Sequence, residues 1–229
     1  MAKKEKTQKV ELPRTYVTFL LDRSGSMSSI KSQTIEGFNT YLAGLQAEKD
    51  ADIRFTFLTF DTHSLDKIYV GVPVKEAEFL TDKTFQPRAG TPLIDASYQT
   101  IMAVEDAVAR DDKHPKVVVC IQTDGYENAS HSHTWAELSM LVKAKQEAGW
   151  QFNFLGAGID AYMQAAQMGL AAANTMSYGT SLHETRAAFG AMAQNTQSFA
   201  SARSTGTQYS AAQKTAAGDK FVPPEQRSK

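Results

Sequence analysis

Asp22, Ser24 and Ser26 stand two residues apart in Asp22-Arg23-Ser24-Gly25-Ser26, directly after the apolar run Tyr16-Val17-Thr18-Phe19-Leu20-Leu21. One carboxylate and two hydroxyls on a single tight turn are short oxygen donors that can converge on a hard divalent cation. Two other stretches offer the same kind of atom: Thr91 in Gly90-Thr91-Pro92-Leu93 and Asp124 in Thr123-Asp124-Gly125. None of the five is a soft ligand, so the set selects Mg2+, Mn2+ or Ca2+ over zinc or copper. Each position also has a plainer reading. Asp22, Ser24 and Ser26 suit a polar turn capping the next helix, Thr91-Pro92 suits a helix start, and Asp124-Gly125 suits a turn. Capping and ligation by Thr91 are compatible.

The elements that must position these side chains follow from periodicity. The unbroken apolar run predicts a buried parallel strand over residues 15–21. Ile30, Thr34, Ile35, Phe38, Tyr41, Leu42 and Leu45 recur at helical spacing and predict a helix over 30–49. Residues 53–60 form a second strand that ends at Asp61. Residues 64–74 read as a third, antiparallel and at the edge, because the connection is too short for a crossover helix. Further on, helices are expected over 93–110, 134–147 (with Thr134 and Glu137 as a capping box), 159–168 and 182–200. Strands are expected over 117–122, 151–155 and 174–178. This alternation predicts a Rossmann-like α/β fold: a doubly wound, mostly parallel sheet with one antiparallel edge strand and helices on both faces. Such sheets bind ligands in the crevice beyond the carboxyl ends of their strands, where the oxygen-bearing stretches fall. Residues 1–13 are expected to be a basic flexible arm, 14–202 the domain, and the Ser/Thr/Gln/Ala-rich 203–229 a disordered tail.

Asp-x-Ser-x-Ser after strand one, a Thr-Pro-Leu loop, and Asp-Gly after a Val-rich strand together resemble a von Willebrand factor type A domain with its metal-ion-dependent adhesion site. The resemblance covers about residues 15–200. It implies that Ser24, Ser26 and Thr91 ligate a metal, Mg2+ first and Mn2+ or Ca2+ as alternatives, through their hydroxyls. Asp22 and Asp124 then act directly or through water. It further implies a protein-binding module that engages an Asp or Glu of a partner through the metal. By family analogy the partner is an AAA+ ATPase or a stress-response factor.

Other classes fare less well. Asp22 at a strand end also opens the haloacid-dehalogenase pattern, but that chemistry needs a second Asp two residues on, where this chain has Ser24. No Gly-x-Gly-x-x-Gly, P-loop or Gly-x-Ser-x-Gly elbow occurs, so an enzyme is not expected. A structural assembly component is neither supported nor excluded. The formal net charge of -1 favours neither nucleic acid nor an anionic membrane. Cys120 stands alone in a Val-rich run and reads as a core residue, which points to a reducing cytoplasm. His131-Ser132-His133 beside Glu127 reads as a solvated loop rather than a second metal site. His63, His114 and His183 are expected at the surface. Asp61 suits a turn or a supporting role behind the ligands. Tyr126 suits either packing or a partner contact. Met163, Met168, Phe189 and Met192 read as core stripes.

Overall fold

In a computed structural model that describes residues 12–226, the apolar run before Asp22 is the central strand, β1 (Arg14–Asp22). It pairs in parallel with β2 (Asp52–Phe60) on one side and β4 (Lys116–Thr123) on the other. Outside β2, β3 (Leu65–Pro73) runs antiparallel at the sheet edge, as its short connection requires. Outside β4 lie β5 (Gln151–Ala157) and β6 (Thr175–Tyr178), both parallel. The order is β3-β2-β1-β4-β5-β6, so the winding direction reverses between β1 and β4. In sheets of this kind, ligands bind beyond the carboxyl ends of the strands at such a reversal. Asp22 ends β1, and Asp124 follows β4.

Both faces of the sheet are covered, which is why residues 16–21 of β1 carry no charged side chain. Val17, Phe19 and Leu21 enter the layer that includes residues of α1 (Lys31–Ala47) and α5 (Leu182–Ala200). Leu20 enters the opposite layer, with α2 (Leu93–Ala109), α3 (Trp135–Glu147) and α4 (Ala161–Gln167). The Phe19 ring meets Phe38 at 5.4 Å, Tyr41 at 5.2 Å and Phe189 at 6.2 Å, centroid to centroid. Burying a ring of this size contributes about 1.5–3 kcal/mol, and this cluster ties both helices to the strand that carries Asp22. The helix expected from residue 30 is preceded by a 3-10 turn, Gly25–Ile30, that holds Ser26. The Thr134–Glu137 capping box is present.

Two expectations are corrected, and one lies almost wholly outside the described residues. That one is the basic arm, of which only residues 12 and 13 are described. Residues 203–226 do not form a disordered tail. Thr207, Tyr209, Lys214, Ala217 and Val222 are buried, and Ser210 caps a further helix, α6 (Ala211–Ala216). Specific polar contacts take the place of an apolar stripe here. The Tyr162 hydroxyl and the Ser177 N–H both donate to Asp219, at 2.6 and 3.0 Å. The Lys214 ammonium donates to the Ala172 carbonyl at 2.7 Å. The packed domain therefore runs on through Val222. Met163 is no core residue: it is 55% exposed, whereas Met168, Phe189 and Met192 are buried. The inward face of α4 carries Ala161, Gln164 and Ala165 instead.

Candidate metal centre

The Asp22 side chain is buried at the end of β1 and held from two directions. The backbone N–H of Ser24 donates to its Oδ1 at 2.7 Å, and the Thr123 hydroxyl on β4 donates to its Oδ2 at 2.6 Å. Next along the turn, the Ser24 and Ser26 hydroxyl oxygens lie 3.1 Å apart. The Ser26 hydroxyl donates to Asp124 Oδ1 at 2.6 Å. A β-carbon placed on Gly125 would lie 3.5 Å from Thr91 Oγ1 and 3.6 Å from Ser26 Oγ, so these two hydroxyls flank one point. The structure thus gathers all five oxygen-bearing side chains beyond the carboxyl ends of β1 and β4, from three separate loops.

The electrostatics of this cluster are one-sided. Among the described residues, neither Asp22 nor Asp124 has a Lys, Arg or His partner. Burial pushes the Asp22 carboxyl up to about 6, with the Thr123 and Ser24 hydrogen bonds only partly opposing it and the Asp124 charge adding to it. Burial likewise pushes Asp124 above the usual carboxylate range, against the Ser26 hydrogen bond. A cation beside them would favour their charged forms. Among the described residues no three His, Cys, Asp or Glu side chains are grouped to hold a metal ion. A cation here would depend on hydroxyls as well as carboxylates, and the donor set fits a hard ion.

The residues that hold the loops in place carry little sequence signal. The Thr91 N–H donates to Asn128 Oδ1 at 2.9 Å, and the Asn128 N–H donates back to the Thr91 carbonyl at 3.1 Å. Glu127 accepts the Ile94 N–H at 2.9 Å, and so caps α2, and takes the N–H groups of Ala129 and Ser130 at 2.7 Å each. Gln164 on α4 donates to the Gly125 carbonyl at 3.0 Å and accepts the Glu127 N–H at 2.9 Å. The loop His131-Ser132-His133 is instead held by α2. Its backbone N–H groups donate to Asp95, and the His133 ring stacks on Tyr98 at 3.8 Å. Asp61 is no donor to the cluster, because its carboxylate is taken up by Arg23 and Arg88. Tyr126, 46% exposed, stands at the rim.

No protein-family model matches the chain, and no curated protein sequence matches it. Solved structures do match. A von Willebrand factor type A structure from Catenulispora acidiphila superposes with a TM-score of 0.58 at 13% identity, over 81% of this chain and 43% of its own. The manganese-loaded TRAP protein of Plasmodium vivax gives 0.53 at 15% identity, over 73% of this chain and 69% of its own. The vWF domain of the type V pili tip protein Mfa5 from Porphyromonas gingivalis gives 0.55 at 9% identity, over 84% of this chain and 97% of its own. The chain spans less than half of the first of these. At such identities the likeness establishes the fold.

Proposed function

We propose that this chain, whose fold is that of a von Willebrand factor type A domain, is a divalent-metal-dependent protein-binding module. The observation that carries the reading is the meeting of Asp22, Ser24, Ser26, Thr91 and Asp124 around carboxylates that no side-chain cation among the described residues neutralises. Ser24, Ser26 and Thr91 would hold Mg2+, or Mn2+ or Ca2+, through their hydroxyls, with Asp22 and Asp124 directly or through water. A divalent ion held by these residues would supply Lewis acidity toward an Asp or Glu carboxylate of a partner protein. The chain's own residues prepare that encounter. Thr123 and the Ser24 N–H keep the Asp22 carboxylate aimed, and Asn128 fixes the peptide of Thr91. Gly125 leaves the approach to both hydroxyls free of a side chain. Tyr126 offers the partner an aromatic surface at the rim.

Manganese in the Plasmodium vivax structure supports a divalent ion on this fold. Binding is favoured over catalysis because Ser24, two residues after Asp22, offers a hydroxyl bonded to Ser26 rather than a proton-transferring acid. The cytoplasm is proposed as the compartment on the strength of the lone buried thiol of Cys120. Among the described residues no helix is long and apolar enough to cross a membrane. The test combines calorimetry with capture. Mg2+ or Mn2+ is expected to bind the wild type at one site and to fail on Asp124→Ala. A host protein retained in Mg2+ is expected to leave in EDTA. Metal-dependent phosphatase or esterase turnover, lost in Asp124→Ala, would replace this reading with an enzyme.

A further inference from the structure

Asp61 follows β2, one strand away from Asp22, and its side chain is wholly buried. Its Oδ2 accepts from Arg23 Nε at 2.9 Å and from Arg88 Nε at 2.8 Å. Its Oδ1 accepts the backbone N–H groups of His63 at 2.6 Å and Ser64 at 3.2 Å. Each arginine belongs to a different donor loop. Arg23 sits between Asp22 and Ser24, and Arg88 lies three residues before Thr91. The backbones of these loops are joined as well. The Arg88 N–H donates to the Arg23 carbonyl at 2.8 Å, and the Gly25 N–H donates to the Ala89 carbonyl at 2.9 Å. Ala89 reaches that position with φ of 60°, a left-handed conformation that costs a residue with a β-carbon about 1–2 kcal/mol. Other contacts must hold it there.

We infer that Asp61 is a positioning residue that clamps two of the three donor loops together, an inference that rests on the metal-site reading above. The shared carboxylate draws two guanidinium groups to one point that would otherwise repel each other. The 22–26 turn and the 88–91 loop are thereby fixed in one register, with Thr91 Oγ1 and Ser26 Oγ facing the same space beside Gly125. Asp61 itself has no free lone pair directed at the cluster, so it acts only through the arginines. Ser64 reinforces the junction, because its hydroxyl accepts from both Arg23 Nη2 at 3.0 Å and Arg88 Nη2 at 3.2 Å.

The test compares wild type, Asp61→Asn, Arg88→Gln and Glu48→Gln in the full chain. Glu48 is another buried carboxylate held by an arginine, Arg203, but it lies just after α1, outside the three donor loops. Two readouts are taken: Mn2+ affinity by calorimetry, and amide exchange at Gly25 and Arg88 in EDTA by NMR. Asp61→Asn is expected to weaken Mn2+ binding about ten- to hundredfold, the usual cost of removing a group that orients ligands. It is also expected to speed exchange at both amides. Arg88→Gln does the same to a smaller degree and adds nothing in the Asp61→Asn background, whereas Glu48→Gln moves neither readout. Unchanged affinity and exchange in Asp61→Asn, or equal changes in Glu48→Gln, overturn the clamp. Should Asp61→Asn fail to fold, Arg88→Gln decides on the same readouts. A wild type that binds no Mn2+ removes the metal-site reading, and amide exchange alone then judges the clamp.

Discussion

Asp22 ends β1 and Asp61 directly follows the neighbouring parallel strand β2; both are buried, and the fold treats them in opposite ways. Asp22 receives two hydrogen bonds from neutral groups, and burial leaves its carboxyl raised to about 6. Burial pushes Asp61 up too. There the Arg88 hydrogen bond, the His63 N–H and the Arg23 charge outweigh it, and the carboxyl is held below its ordinary value. Arg23 sharpens the contrast, since it follows Asp22 directly in sequence yet gives its charge to Asp61 and Asp66. Among the described residues, negative charge is thus neutralised where it serves as scaffold and left without a cationic partner one strand away, beside three hydroxyls. Unneutralised buried charge reduces stability, and groups kept in that condition mark candidate functional sites.

If the contrast is sound, removing each charge must act with opposite sign. Asp61→Asn breaks a buried ion cluster and is expected to cost about 3–5 kcal/mol in denaturant unfolding. A cost below about 1 kcal/mol would show that the arginines do not need it. Mg2+ at a hundredfold excess over its dissociation constant is expected to stabilise the wild type by about 2.7 kcal/mol and Asp22→Asn not at all. Equal stabilisation of both proteins would place the ion elsewhere. In EDTA at pH 7, Asp22→Asn is expected to be more stable than wild type, by up to about 3 kcal/mol, from a carboxyl raised to about 6.

The sign of the pH dependence follows from linkage. A carboxyl whose folded value lies above its unfolded one binds protons more readily in the native state. Its cost is full above pH 6 and fades as the pH falls toward the ordinary carboxylate value. The EDTA-treated wild type is therefore expected to gain stability between pH 7 and pH 5 relative to Asp22→Asn. Asp61, held low, stabilises throughout that window and loses its contribution only in stronger acid. Parallel profiles for the two proteins across the window would remove the proposed difference. The smallest effect concerns the joint between the loops. Ala89→Gly relieves a left-handed φ and is expected to change stability by less than about 1 kcal/mol, with metal affinity slightly weakened as the loop loosens.

Much of this molecule is legible in its sequence where periodicity or a short motif speaks. The run 16–21 announces a strand buried on both faces, the short 61–64 connection announces an antiparallel edge, and Thr134–Glu137 announces a helix start. The five oxygen donors could be named because their types and order are informative. Their supports are less legible. Asp61 reads as a turn or supporting residue, but its arginine partners do not follow from the sequence. Asn128 and Gln164 act through hydrogen bonds to loops far away in sequence, and no local pattern encodes such a pairing. Residues 203–222 depart from the expected tail for a related reason. They are anchored by scattered polar contacts, such as Thr207 with Asn153 and Asp219 with Tyr162, in a stretch whose composition resembles a tail.

The most direct test is a crystal structure grown with Mn2+ and phased by the anomalous signal of the metal. The expected result is one strong peak at about 2.2 Å from the Ser24 and Ser26 hydroxyl oxygens. Thr91, Asp22 and Asp124 should surround it, directly or through water, and Asp61 should remain with its arginines. A cluster without such a peak at saturating Mn2+, or a peak held by Asp61 or by the 131–133 loop, would contradict the account.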